Sequence, residues 1–278
     1  MNLVTPMTTD TTTNSFFYYF FLYMKFKTTP YHFDLIRDLQ RLSAFYQAIS
    51  DYDGTKDLAY DLGCGSGILS YFLSSHFNEI ISLEIDSSAY ECAKENLADF
   101  DNVNVINTDV LEYGFDEKAD LIVCEMMDTA LIDEEQIPVL NHARKCLKPE
   151  GKIIPQAVIN SAELVNLERE YVHWDENARY EVFSDALIYS EFDFMEDIDP
   201  NFETTLSLKV KKDGTVNGLK ITTFTKLTED IVCGPTPMLN PPLLIPFEEK
   251  SVKSNEYITV KLKYIMGNGI ESIELYVI

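Results

Sequence analysis

Apolar runs alternate with amphipathic stretches from residue 57 to 155. Runs near 57–62, 79–85, 103–107, 119–124 and 152–155 read as strands, and the segments near 67–76, 87–99 and 134–147 carry helical spacing. Strands alternating with helices at this interval predict a parallel sheet covered on both faces. Residues 34–50 (DLIRDLQRLSAFYQAIS) also carry apolar residues at helical spacing and predict a helix in front of the sheet.

After Pro155 the pattern changes. Asp213-Gly214 separates Leu206–Lys211 from Val216–Leu227, which is a hairpin signal. Tyr257–Tyr264 alternates, with Ile258, Val260, Leu262 and Tyr264 on one face. Gly267-Asn268-Gly269 then turns the chain into Ile270–Ile278, a second hairpin. This half predicts a β-rich, mostly antiparallel unit. The run 191–203 holds six acids and no base and reads as a solvated loop. The chain divides into an N-terminal segment and helix (1–52), an α/β unit (53–155) and a β-rich unit (156–278).

Hydrophobic residues make up 46% of the 278, enough for a core, so wholesale disorder is excluded. The formal net charge of −24 repels phosphate backbones and attracts basic partners, and it also favours solubility. A duplex-binding footprint is disfavoured. Cysteines 64, 92, 124, 146 and 233 form no CxxC, which predicts reduced thiols and a cytoplasmic location. Four scattered histidines predict no metal site. No segment reaches the roughly 20 apolar residues that span a bilayer, so no membrane partner is expected. Phe16–Met24 is apolar and aromatic but lacks the features of a signal peptide. The expectation is that translation starts at Met24 and the preceding stretch is an extension.

The most informative stretch is Asp61-Leu62-Gly63-Cys64-Gly65-Ser66-Gly67. It follows the apolar Leu58-Ala59-Tyr60 and opens onto Ile68-Leu69-Ser70-Tyr71-Phe72-Leu73, a strand, a glycine turn and a helix. Glu84, 23 residues after Asp61, ends the next apolar run. An acid at about that distance is placed to bond ribose hydroxyls, so the pattern predicts a nucleoside cofactor.

The order acid-x-Gly-x-Gly-x-Gly differs from the dinucleotide pattern and resembles motif I of class I S-adenosylmethionine methyltransferases. Asn107-Thr108-Asp109-Val110 resembles the place where those enzymes hold adenine. The resemblance implies an α/β fold, a Rossmann-like doubly wound methyltransferase domain followed by a smaller antiparallel β-domain. It implies S-adenosyl-L-methionine as cofactor, bound by Asp61, Gly63, Gly65, Gly67, Glu84, Asp109 and Val110.

Cys124-Glu125-Met126-Met127-Asp128-Thr129-Ala130-Leu131-Ile132-Asp133-Glu134 is similar to the double-E loop of protein arginine methyltransferases, whose two glutamates stand nine positions apart like Glu125 and Glu134. His142-Ala143-Arg144 and Leu147–Pro155 resemble the helix and strand that follow that loop. Val172–Asn177 resembles the start of the family's β-barrel. The likeness is good over roughly 31 to 180. It implies that Arg41 meets the cofactor carboxylate and that Glu125 and Glu134 are catalytic. A guanidinium offers a planar fork of donors that carboxylates meet bidentately, and two carboxylates can hold it while drawing charge from the attacking nitrogen.

The chain also departs from that family. Met126 stands where Trp is usual, and Asp128-Thr129 where Gly-Tyr is frequent. The Thr-His-Trp loop has no clear copy; its place reads Met238-Leu239-Asn240-Pro241-Pro242-Leu243-Leu244, within which Asn240-Pro241-Pro242-Leu243 reads as a rigid polyproline-like turn without catalytic role. The stretch from Glu176 to Ile221 is short for a dimerisation arm, so no oligomeric state is implied. Tyr31, His32 and Phe33 are either a lid over the cofactor or packing. The expected activity is N-methylation of an arginine or similar amino-type acceptor on a protein, a basic one included. The alternatives are methylation of RNA or a small molecule, and a non-catalytic cofactor-binding regulator.

Overall fold

The computed structural model describes residues 26–174 and 178–278. The readings of Phe16–Met24, of a start at Met24 and of Asp175-Glu176-Asn177 lie outside them. Two helices, α1 (Pro30–Leu35) and α2 (Leu39–Ser50), lead into an alternating unit. It runs β1 (Leu58–Leu62), α3 (Ile68–Ser74), β2 (Glu79–Glu84), α4 (Ser87–Asn96), β3 (Val103–Asn107), β4 (Ala119–Cys124), α5 (Gln136–Ala143) and β5 (Leu147–Ile154). The five strands form one parallel sheet in the order β3-β2-β1-β4-β5. Every residue of β1 and β4 is buried. Strands covered on both faces are apolar at nearly every position, which is why these runs do not alternate.

The predicted helix over 34–50 is interrupted. Asp38 turns its carboxylate onto the Arg41 amide (3.1 Å) and caps α2, so the preceding turn belongs to α1. Thr29 caps α1 and Pro30 occupies its first turn.

The second half holds β6 (Ala157–Leu167), β7 (His173–Trp174), β8 (Tyr180–Val182), β9 (Leu187–Asp193), β10 (Asn201–Lys209), β11 (Gly214–Lys226), β12 (Val232–Cys233), β13 (Leu243–Val252), β14 (Tyr257–Ile265) and β15 (Glu274–Val277). The larger sheet has the order β7-β13-β11-β6-β8, with β9 on β6 and β12 on β11, and the smaller is β10-β14-β15. The fold is the expected one, a doubly wound parallel sheet followed by antiparallel β-structure. The hairpin around Gly267-Asn268-Gly269 forms, pairing β14 with β15. Val260, Leu262 and Tyr264 are buried on one face of β14.

The hairpin read at Asp213-Gly214 does not form. β10 pairs with β14 (Leu206 opposite Val260), and β11 pairs with β6 and β13. Asp213 accepts from the Ser254 amide (2.8 Å) and from Lys253 Nζ (3.2 Å), so it ties the chain to the loop after β13 instead of closing its own turn. The Asp-Gly pair makes a corner between two sheets. The acidic run 191–203 is not all loop either. β9 extends to Asp193, β10 starts at Asn201, and Phe194 and Ile198 between them are buried.

Among the described residues no helix is long and apolar enough to cross a membrane. At the foot of the parallel sheet the buried Asp120 carboxylate accepts from the amides of Asp57 (2.9 Å) and Leu58 (3.0 Å), from Thr55 Oγ1 and from Lys148 Nζ (3.0 Å). Removing it leaves the buried Leu58 amide without its acceptor and breaks the ion pair with Lys148. Asp120→Ala is expected to lower the unfolding free energy by about 3 kcal/mol, read from urea denaturation.

Candidate active site

The order of the parallel sheet reverses between β1 and β4, so the chain leaves their C-terminal ends in opposite directions and a crevice opens there. A cavity of about 710 Å³ occupies it, lined by the glycine loop after β1, Glu84 at the end of β2, and Glu125 and Met126 after β4. Glu134 and α1 close the other side.

The loop needs its glycines for conformation and for space. Gly63 and Gly65 lie at φ +69° and +55°. A Cβ on Gly63 would come 2.8 Å from the Met126 side chain, and one on Gly65 would come 2.7 Å from His32 Nε2. The Gly63 and Cys64 amides both donate to Leu83 O at 2.9 Å, which presses the loop against β2. Glu84 completes that attachment, accepting from the Gly65 amide (2.7 Å) and the Asp86 amide (2.8 Å). Burial raises the Glu84 pKa against the pull of those two bonds.

Arg41 reaches from α2 across the cavity to Glu125. Nε donates to Oε1 at 2.7 Å and Nη2 donates to Oε2, a bidentate pair, while Nη1 donates to Leu35 O at 3.2 Å. A guanidinium has five N–H groups, so this fork keeps two for a further acceptor. Glu134 lines the same cavity. Burial raises its pKa, Glu125 and Asp133 push it further, and the Tyr31 hydroxyl pulls the other way. The two glutamates therefore share one site, one gripped by an arginine and the other with its proton affinity raised by burial.

The other predicted residues lie around the cavity without lining it. Asp61 sits beneath the loop, accepting from Ser70 Oγ at 2.5 Å, and Ser70 Oγ also meets Ser82 Oγ at 2.7 Å. Gly67, at φ +88°, starts α3. Asp109 takes the Leu111 amide (2.8 Å) in its own turn, and Val110 is core.

Three contributors were missed or left open. The sequence leaves His32, with Tyr31 and Phe33, as lid or packing. It lines the cavity, with Nδ1 tied to Thr29 Oγ1 (2.7 Å) and Nε2 held over Gly65. Burial lowers its pKa, against the opposing pull of Asp86. The Thr-Pro helix start just before it was the available signal. Met238 also lines the cavity, and its amide donates to Asp38 Oδ2 (3.1 Å), as Thr236 Oγ1 does at 2.5 Å. The turn that should have carried Thr-His-Trp thus reaches the site. It is not polyproline-like at Asn240, which is left-handed at φ +54° and donates to Thr225 Oγ1 at 2.7 Å. The third, Asp128, organises the loop between the glutamates and gave no signal in the sequence.

Residues 59–151 match a family model described as a methyltransferase domain. The fold is that of a chain in the Trypanosoma brucei PRMT1 enzyme–prozyme heterotetrameric complex with AdoHcy, with TM-score 0.74 at 18% identity over 90% of this chain and 96% of that one. An uncharacterized protein of Methanothermobacter thermautotrophicus is 45% identical over 255 residues, covering 92% of this chain and all of the relative. The chain carries a methyltransferase domain. It is also similar to a probable protein arginine N-methyltransferase 6.1 of Oryza sativa, 33% identical over 146 residues, which are 50% of this chain and 38% of the rice protein.

Burial raises the Asp61 pKa from 3.8 to about 7; the Ser70 bonds oppose this and the charges of Glu84 and Glu125 add to it. Between those two values the folded methyltransferase holds a proton that the unfolded chain has released, so Asp61's contribution to stability falls as pH rises. Asp61→Asn is neutral in both states. Its stability relative to the parent is expected to rise with pH across that window, by up to about 1.4 kcal/mol per unit, read from urea midpoints at several pH values.

Proposed function

We propose that this methyltransferase transfers a methyl group from S-adenosyl-L-methionine to a guanidinium or similar amino nitrogen on a protein, in the cytoplasm, with residues 53–155 binding the cofactor and 156–278 framing the acceptor. The observation that carries the proposal is that Glu125 and Glu134 line the same cavity as the glycine loop and Glu84.

The cavity's residues suit the cofactor. The backbone of Gly63 and Gly65 leaves space that any Cβ would fill. Glu84, with two of its lone pairs used, keeps others for ribose hydroxyls. The two remaining N–H groups of Arg41 suit the amino-acid carboxylate, beside His32. When bound, the cofactor supplies an electrophilic methyl on a sulfonium.

The chain's own part is alignment and charge. Glu125, steadied by Arg41, presents a fixed carboxylate to a cationic acceptor. Glu134 faces the same acceptor from the opposite end of the loop, and its raised affinity for protons suits it to take the one released. In-line transfer depends on holding the acceptor nitrogen on the methyl axis, and two carboxylates at fixed positions orient a planar fork better than one. The net charge of −24 supports a basic protein partner and disfavours RNA.

Calorimetry is expected to detect S-adenosylmethionine binding, weakened about tenfold or more in Gly65→Ala by the clash with His32. Failure to bind in the parent protein overturns the cofactor assignment. Glu125→Gln is expected to lower transfer on the order of 100-fold while folding is kept. Tritiated methyl transfer into native lysate, digested separately with protease and RNase, identifies the acceptor. Label lost to protease is the expected result, and label lost to RNase would replace the protein acceptor by RNA.

A further inference from the structure

The ten residues from Glu125 to Glu134 leave β4 and return to the cavity, so something must bring the second glutamate back to face the first. Apart from a short 3-10 turn at Thr129–Leu131, no regular element does this. Ala130 and Leu131 are left-handed, at φ +61° and +62°, a conformation that costs of order 1 kcal/mol or more for each non-glycine residue. Their strain is held by hydrogen bonds that come from two sources.

One source is Asp128. Its Oδ2 accepts from the Ile132 amide at 3.2 Å and its Oδ1 from the Glu134 amide at 3.1 Å. The backbone oxygen of the same residue accepts from the Leu131 amide at 3.2 Å. The other source is the antiparallel half. Thr223 Oγ1 on β11 accepts from the Ala130 amide (2.8 Å), and Thr223 is itself fixed by donating to Asn160 Oδ1 on β6 (2.5 Å). The amides of Gly267 and Gly269, in the turn after β14, donate to Leu131 O (3.0 Å) and Ile132 O (2.9 Å). Thr129 Oγ1 donates to Pro241 O at 2.7 Å.

These bonds divide the labour. The antiparallel half binds residues 129–132 from outside the loop, and among the described residues only Asp128 has a side-chain bond to the backbone of Glu134 itself. We propose that Asp128 is a positioning residue, whose carboxylate sets the direction from which Glu134 enters the cavity opposite Glu125. The inference rests on the reading of Glu134 as an acceptor-binding carboxylate, and it extends the site to a residue that touches neither cofactor nor acceptor. Asp128 does not line the cavity and its carboxylate bonds within its own loop, so its loss is expected to act through Glu134 and not on the cofactor.

Asp128→Ala removes both side-chain acceptors, and Asp128→Asn keeps one. Hydrogen–deuterium exchange of the full chain is expected to show the peptide spanning 128–135 losing about tenfold protection in Asp128→Ala and less in Asp128→Asn, with the rest of the protein unchanged. Calorimetric affinity for S-adenosylmethionine is expected within twofold of the parent in both. Tritiated methyl transfer to an arginine- and glycine-rich peptide is expected to fall about 100-fold in kcat for Asp128→Ala and to recover to within about tenfold in Asp128→Asn. If Asp128→Ala does not fold, Asp128→Asn carries the same three readouts. Unchanged protection of 128–135 overturns the proposal, and so does a loss of cofactor affinity as large as the loss of transfer. A parent protein that labels no peptide overturns the acceptor reading alone, because the exchange measurement still decides whether Asp128 holds Glu134.

Discussion

The bidentate pair between Arg41 and Glu125 joins α2 to the end of β4 at the cavity. Both side chains are nearly withdrawn from water, with 4% and 11% of their surface exposed. Either charge left alone there would cost several kcal/mol, so each requires the other. The pair pins α2 over the end of β4, and the neighbouring Asp38 caps α2 while binding the turn at Thr236–Met238. One helix thereby registers the parallel sheet against the antiparallel half. The cavity lies where these attachments converge.

The two halves contribute differently to the chemistry. The parallel sheet supplies the glycine loop and Glu84 through local geometry, a strand end followed by a tight turn. The antiparallel half supplies no charged group to the cavity wall; among the described residues it contributes Met238. Its larger effect is on the left-handed loop between Glu125 and Glu134, whose backbone it binds from β11 and from the turn after β14. Strained backbone of this kind persists only where its surroundings over-determine it.

Features encoded over short distances could be read from the sequence. The runs at β1, β2 and β4, the interval from Asp61 to Glu84, and the paired glutamates each lie within one stretch of chain. What escaped depends on partners far away in sequence. Asp38 interrupts a helical pattern and also binds residues about 200 positions later. Asp213-Gly214 carries a hairpin signal, yet the aspartate finds its partners 40 and 41 positions on, and a strand alternation pattern does not name its neighbour. Asp128 reads as one more acid in an acidic protein until the loop has folded back upon it.

The helix α1 has no buried residue, and Tyr31 and Phe33 stand 65% and 49% exposed upon it. Elements with so little buried apolar surface belong to the low-stability end of a protein's local unfolding spectrum. The roof of the cavity is therefore its softest wall, while the floor of glycine loop and sheet is its hardest. Lifting these six residues would open the cavity without parting the two halves, which would make residence time and global stability separable properties. Substitutions on the outer face of α1 can alter how long a ligand stays while leaving the unfolding free energy untouched.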